Sequence, residues 1–151
     1  MRRHSCLLLG VTLAVGVSGM VIGAYFLGNH QNTSCPTGVR VSEKEYTLEC
    51  SVTEEAQAVG LSGREKLCES CAMVFPFQTP GKHPFWMKGM RFPLDMVWLS
   101  ADDTVVHIEH RILETSEQVY HSEIPAMWVL EFNAGSLDTV QKGDKLRLVW
   151  E

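Results

Sequence analysis

The most chemically suggestive part of the chain is HPFWMKGMRFPLD, residues 83–95, in which charged side chains interrupt an apolar run. Trp86, Lys88 and Asp95 lie there among methionine and phenylalanine residues. An isolated charge is costly to bury, so these charged groups must be paired or exposed to solvent. The stretch is therefore either a core strand that carries an ion-pair network or a surface that holds a ligand.

The alternation of side chains along a strand divides this stretch into two faces. Phe85 and Met87 would share one face, and Trp86 and Lys88 would share the other. If the first pair fills the core, the second pair faces away from it. A flat indole beside charged groups suits a sugar or peptide ligand, because the ring stacks while the charges bind hydroxyl or carboxylate groups.

The N-terminus has the pattern of a membrane anchor. Residues 6–27 contain no charged side chain, and as a helix they would span roughly 33 Å, enough to cross a bilayer core. A cleaved signal peptide remains the alternative, with a cleavage site at 17–19. Gly19 and Gly23 form a small-xxx-small pair that would support weak homodimerisation of the anchor.

The charges beside the anchor predict its orientation. Arg2 and Arg3 precede it, so the positive-inside rule places residues 1–5 in the cytoplasm. We expect a linker at 28–38 and a single domain at 39–151, outside the membrane in the periplasm or extracellular space.

Composition narrows the class of the domain. Charged residues make up 21% of the chain and hydrophobic residues 45%, which is typical of a globular protein. The formal net charge is -5, and no basic run follows the N-terminal arginines. A nucleic-acid partner is therefore not expected.

The pattern along the domain predicts a mostly β fold with a minor α component. Short apolar or alternating segments separated by turn signals favour a small single-domain β-sandwich or barrel. Two short helices are expected. The first has Thr53 as its N-cap and ends at Gly60, and the second runs from Gly63 to Cys68.

The cysteines favour disulfide bonding. Cys35, Cys50, Cys68 and Cys71 would lie in an oxidising compartment if the domain is outside the membrane. We expect a structural disulfide between Cys50 and either Cys68 or Cys71, with a redox role for the last two as the alternative. A zinc site with His83 would match no standard spacing, so no metal and no cofactor are expected.

Short motifs spread through the domain carry a resemblance to a known family. In order, they are Gly60-Leu61 with Arg64, Met73-Val74-Phe75, Phe85-Trp86-Met87-Lys88, Pro93-Leu94-Asp95, Val129-Leu130-Glu131, Ala134-Gly135 and Gly143-Asp144. Over residues 40–151 the chain resembles the domain-of-unknown-function 192 family of bacteria and archaea. The resemblance implies a compact β-rich fold, often behind a signal or anchor segment, and no established reaction. Gly89-Met90 stand where the family usually has Asn-Thr.

The charged residues of these motifs, together with Trp86, form the candidate site. Lys88 and Arg64 would hold an anionic or hydroxyl-rich group, Trp86 would stack, and Asp95 and Glu131 would orient the cations. The expected function is binding of a ligand, such as a cell-envelope glycan or peptide.

Two other functions stay open at this stage. In the first, Asp95 and Glu131 are the carboxyl pair of an envelope hydrolase. In the second, the domain is a structural or assembly module whose charges form a buried network. The chain lacks a Gly-x-Ser-x-Gly elbow, a phosphate-cradling loop and a His-Glu-x-x-His motif, which favours binding over catalysis.

Overall fold

The computed structural model describes residues 34–151. The predicted anchor at 6–27, with Gly19 and Gly23, and the first part of the predicted linker lie outside these residues. Within the described part of the chain, no helix combines the length and the apolar character needed to cross a membrane.

The described residues form nine strands and one helix. In chain order they are β1 Gly38–Val41, β2 Lys44–Cys50, α1 Glu54–Val59, β3 Cys71–Gly81, β4 Phe85–Trp86, β5 Leu94–Leu99, β6 Val105–Ile112, β7 Val119–Tyr120, β8 Ala126–Asn133 and β9 Arg147–Val149. The prediction of a mostly β domain is confirmed.

Seven of the strands form one sheet in the order β6-β5-β8-β3-β2-β1-β9. Neighbouring strands are antiparallel except β2 and β3, which are parallel. The sheet curls into a half-barrel, and Val105 at the start of β6 accepts a hydrogen bond from Gly143, close to β9. β4 and β7 form a separate two-stranded ribbon.

The sheet has an apolar cluster on each face, which explains why its central strands read as continuous apolar runs. All six residues of β5 are buried. Val97 and Leu99 pack into one cluster with β1, β2 and the segment before β9. Met96 and Trp98 pack into the other, with Phe75 and Met87. This second face is covered by the segments that carry β4 and the turn after α1.

The first predicted helix is confirmed and the second is wrong. Thr53 accepts a hydrogen bond from the Ala56 amide at the start of α1, and Gly60 follows its end with φ 50°. Residues 63–68 form turns and irregular chain instead of a helix. Gly63, at the start of this segment, has φ 77°, outside the helical region.

The disulfide pairing differs from the predicted one. Cys35 is joined to Cys50, and Cys68 is joined to Cys71. The β1–β2 hairpin explains the first bond, because its register pairs Gly38 with Thr47 and so brings Cys35 opposite Cys50. The prediction that Cys50 bonds to one of the other pair is therefore wrong. Part of the predicted linker already belongs to the domain.

The two disulfides should differ in how much they stabilise the domain. The Cys35–Cys50 bond spans a sequence separation of 15 residues and the Cys68–Cys71 bond a separation of 3. Loop-closure entropy predicts that Cys35→Ser/Cys50→Ser lowers the free energy of unfolding by about 3 kcal/mol, and Cys68→Ser/Cys71→Ser by about 2 kcal/mol. Urea unfolding of both double variants measures this order, and a reversed order would contradict it.

Candidate functional site

A cleft of about 200 Å³ opens on the sheet face that packs against the turn after α1. We call it the Glu131 cleft. Its lining residues come from α1 and the turn after it, from β3, from the β4 region and from β8: Gln57, Ala58, Val59, Gly60, Leu61, Ser62, Phe75, Phe77, Pro84, Phe85, Trp86, Met90 and Glu131.

Glu131 provides the carboxyl group of this cleft. It lies on β8 in the middle of the sheet, opposite Met73 of β3 and Met96 of β5. The residue is only 4% exposed, and no described group donates a hydrogen bond to its Oε2 atom. Burial raises the pKa of Glu131 to about 8, because the apolar surroundings disfavour the charged form. At neutral pH the empty cleft therefore contains a mostly protonated carboxyl group.

Gly60 allows the turn after α1 to approach this carboxyl group closely. A Cβ atom at this position would lie 3.4 Å from Phe75 Cζ and 3.8 Å from Glu131 Oε2. The φ angle of 50° is also one that residues with side chains rarely adopt. A larger residue here would add strain and place atoms between the turn and the carboxyl group.

Aromatic rings form the walls of the Glu131 cleft. Phe75 and Phe85 pack edge to face with centroids 4.8 Å apart. Phe77 stacks on His83 at 3.5 Å, and burial lowers the pKa of His83, which keeps that imidazole neutral at neutral pH. Trp86 lies at the rim and is 49% exposed.

The remaining polar side chains of the lining already donate hydrogen bonds to backbone carbonyl oxygens. Gln57 donates from its Nε2 atom to the carbonyl oxygens of Ser51 and Pro76, at 3.1 and 3.0 Å. Ser62 donates from its hydroxyl to the Lys88 carbonyl oxygen at 2.8 Å. Both side chains therefore keep oxygen lone pairs that can accept hydrogen bonds from a ligand.

The structure brings together two of the sequence-predicted site residues, Trp86 and Glu131. Lys88 is exposed beyond the rim, and Arg64 pairs with Glu49 at 2.6 Å. Neither cation lines the cleft. The expected alternation along 85–88 agrees with the exposures, since Met87 is 1% exposed whereas Trp86 and Lys88 face solvent.

Asp95 lies on the opposite face of the sheet from Glu131. On the neighbouring strands β5 and β8, Asp95 pairs with Phe132 and Met96 pairs with Glu131, so the two carboxyl groups project from different faces. Asp95 is fully buried and accepts hydrogen bonds from the Arg111 and Leu137 amides, at 2.7 and 2.8 Å. The structure therefore does not bring Asp95 and Glu131 together around one bond.

One group of side chains in the described residues has the proximity of metal ligands. Ligand atoms of Asp95, His110 and Asp138 lie within 4.8 Å of one another. The oxygens of Asp95 already accept two backbone hydrogen bonds, and Asp138 pairs with Arg111. These contacts satisfy the carboxylates without a metal ion, so the group provides no support for a metal site.

Sequence reasoning did not place Gln57, Phe75, Phe77 or Gly60 in the site. A signal was present for some of them, because Gly60 and Phe75 belong to the motifs that carry the family resemblance. Phe75 and Phe77 also alternate on one face of β3 with the same parity as Met73, which faces Glu131. Gln57 had no such signal, since its position depends on how α1 packs over β3.

The fold and the cleft define a small β-rich domain with an aromatic-lined cleft on one face of a half-barrel sheet. The family model DUF192, described as an uncharacterised ACR, matches residues 37–148. The chain belongs to this family, as the sequence motifs indicated. No curated protein matches the chain.

Two solved structures resemble the domain closely. One is a "putative transcription regulator" from Sinorhizobium meliloti 1021, with a TM-score of 0.68 and 28% identity over 74% of this chain and 90% of that one. The other is a protein of unknown function from Novosphingobium aromaticivorans DSM 12444, also with a TM-score of 0.68 and 28% identity, over 74% of this chain and 83% of that one.

Proposed function

We propose that this domain binds a small ligand in the Glu131 cleft and performs no chemistry of its own. The observation that carries the proposal is the carboxyl group of Glu131, which is buried within an aromatic-lined cleft without a donor for its Oε2 atom. Aromatic walls and a few convergent polar groups are the usual composition of a binding site.

The energetics of Glu131 support a binding role. A buried polar atom without a partner costs about 1–3 kcal/mol, and within the described residues only Trp128 Nε1 shares this state with Glu131 Oε2. A ligand that donates a hydrogen bond to Oε2 would remove this cost on binding. The same carboxyl group would therefore contribute to affinity at the expense of the stability of the free domain.

The motifs of the family resemblance also support this cleft. Gly60, Phe75, Phe85, Trp86 and Glu131 come from four separate motifs and line the same depression. A motif that served only the core would have no reason to leave Trp86 half-exposed at its rim. This convergence favours ligand binding over a purely structural module.

The proposed location is outside the membrane, with residues 6–27 as the anchor. Two features support it: the uncharged length of that segment, and two disulfides in the domain, which persist in oxidising compartments. A glycan or a peptide of the cell envelope is then the accessible ligand class.

Binding in the cleft should depend on Trp86. We expect thermal unfolding of the full-length chain, in non-ionic detergent, to shift upward with a ligand from a panel of envelope glycans, peptides and small amines. A ligand at 100 times its dissociation constant adds about 2.7 kcal/mol, or several degrees. Trp86→Ala should abolish the shift, because the rim loses its stacking surface.

Trp150→Ala is the matched control for this experiment. Trp150 is 46% exposed, close to the value for Trp86, but it packs against Trp128 away from the cleft. Its replacement should leave the ligand shift unchanged. The proposal fails if no compound in the panel shifts the unfolding temperature, or if Trp150→Ala abolishes a shift that Trp86→Ala retains.

A further inference from the structure

We infer that the group bound in the Glu131 cleft is a cation with N–H donors, an alkylammonium or guanidinium group. This inference rests on the proposed function and specifies its ligand chemistry. It follows from which hydrogen-bonding groups the cleft leaves free, and from the charge and aromatic character of its lining.

Once Glu131 is ionised, the free side-chain groups in the cleft are almost all acceptors. Glu131 Oε2 lacks a donor, and the amide nitrogen of Gln57 and the hydroxyl hydrogen of Ser62 are already used by backbone carbonyls. When Glu131 is ionised, the indole N–H of Trp86 is the remaining side-chain donor of the described lining, and it belongs to a half-exposed ring. A sugar hydroxyl needs both a donor and an acceptor, whereas an ammonium group only donates.

The charge of the lining also favours a cationic ligand. Its single ionisable side chain is the carboxyl group of Glu131, and the described lining includes no Lys, Arg or His. Phe75, Phe85 and Trp86 line the cleft, and aromatic faces attract cations through the ring quadrupole. An anionic ligand would meet a carboxyl group and aromatic faces, with no cation to balance its charge.

Ligand binding should be linked to the ionisation of Glu131. The carboxyl group is protonated in the empty cleft at neutral pH, because burial raises its pKa to about 8. A cation stabilises the carboxylate, so its binding displaces one proton from the Glu131 oxygen to solvent. An alkylammonium keeps its charge throughout this range, since its pKa is about 10.4. Affinity should therefore rise about tenfold per pH unit between pH 6 and 8.

The other ionisable groups around this face of the sheet are neutral, exposed to solvent or in ion pairs. His83 contacts Phe77, and burial lowers its pKa, so it stays neutral above pH 6.5. Glu109 of β6 shares the sheet face of Glu131 through Met96 and pairs with His107 at 2.9 Å. The remaining charged groups on the elements around the cleft are exposed or in surface pairs, namely Glu54, Glu55, Lys88 and the Arg64–Glu49 pair.

The test compares a charged probe with its neutral counterpart on the full-length chain. Calorimetry with Nα-acetyl-lysine methylamide should show binding, while the Nε-acetylated form binds at least tenfold more weakly. n-Pentylammonium distinguishes a free amine from a peptide side chain as the preferred source. Titrations of the lysine derivative in two buffers of different ionisation enthalpy at pH 7 should report about one proton released.

Glu131→Gln supplies the decisive variant. The amide keeps the size of the carboxyl group but cannot become negative, so affinity for the lysine derivative should fall at least tenfold and lose its pH dependence. Glu117→Gln, on an exposed residue outside the lining, should change neither property. The pH dependence and proton release of the unaltered chain test the inference even if the Gln variant folds poorly.

Three results would overturn the inference, and they differ in what else they reject. If neutral saccharides bind in a Trp86-dependent way and Glu131→Gln has no effect, the cleft is a binding site but not for a cation. If neither amines nor neutral compounds bind, the inference and the proposed function fail together. Affinity for the lysine derivative that does not vary between pH 6 and 8 would also contradict it.

Discussion

Asp95→Asn should lower the free energy of unfolding by about 2–4 kcal/mol, because two buried hydrogen bonds depend on the carboxylate. The sheet register between β5 and β6 shifts at Asp95, and Arg111 has φ 52° there. This bulge leaves the Arg111 amide without a strand partner, and Asp95 Oδ1 accepts its hydrogen bond at 2.7 Å. Oδ2 accepts from the Leu137 amide at 2.8 Å.

An asparagine at this position can accept only one of the two bonds. Its amide nitrogen would face a second backbone donor inside a fully buried site. Urea unfolding followed by tryptophan fluorescence measures the loss, and all four tryptophans of the chain lie in the domain.

Asp138→Asn is the control for Asp95→Asn. Asp138 is exposed and pairs with the Arg111 side chain at the surface. Surface ion pairs contribute about 0–1 kcal/mol, so this variant should be nearly as stable as the original chain. A loss for Asp95→Asn no larger than that for Asp138→Asn would contradict the structural role assigned to Asp95.

The second large effect concerns Glu131 and the pH dependence of stability. Its pKa is about 8 in the folded domain, against an ordinary value of 4.5 in an unfolded chain. Between these values the unfolded state has lost the proton that the folded state retains, so folding becomes less favourable as pH rises. At about 1.4 kcal/mol per pH unit, the cost between pH 5 and 8 is on the order of 4 kcal/mol.

Glu131→Gln should remove this cost, because glutamine does not titrate. The variant and the original chain should have similar stability near pH 4.5, and the variant should be a few kcal/mol more stable at pH 8. The measurement is the difference in urea midpoint between the two proteins across this range. A difference that stays constant with pH would show that the carboxyl group titrates normally in the folded domain.

The two carboxyl groups therefore have opposite relations to stability. Asp95 has two backbone donors and holds a bulge in place, whereas Glu131 has an oxygen without a donor and weakens the free domain. The proposed binding site, which needs an unsatisfied acceptor, would account for this contrast. Asp95 belongs with the interactions that shape the half-barrel, and Glu131 with the cleft.

Part of the site could be predicted from the sequence, because some of its features depend only on neighbouring residues. Alternation along 85–88 is a local property, so it correctly separated the buried Met87 from the exposed Trp86 and Lys88. Whether Asp95 and Glu131 share a face depends on the pairing of β5 with β8. That pairing joins residues far apart in the chain, and a shift of one residue would reverse the result.

The fold shows the same division between local and distant information. Thr53 caps the start of α1 and Gly60 caps its end, both through local contacts, and both roles were predicted from the sequence. The Cys35–Cys50 bond needed the exact register of the β1–β2 hairpin, which the composition of its turn did not specify. The contact of Arg64 with Glu49 likewise could not be predicted from the sequence, since it depends on the irregular segment that replaces the expected second helix.

The most direct test of the proposed function is the titration of the Glu131 carboxyl carbon by NMR. The protein would be labelled with ¹³C-glutamate, and the signal missing from Glu131→Gln identifies the resonance. We predict a midpoint near pH 8 in the free protein, moving down by at least one pH unit when the lysine derivative is added. A midpoint near 4.5 that no ligand moves would mean that Glu131 is an ordinary acid, and it would contradict the role of Glu131 on which the proposed function rests.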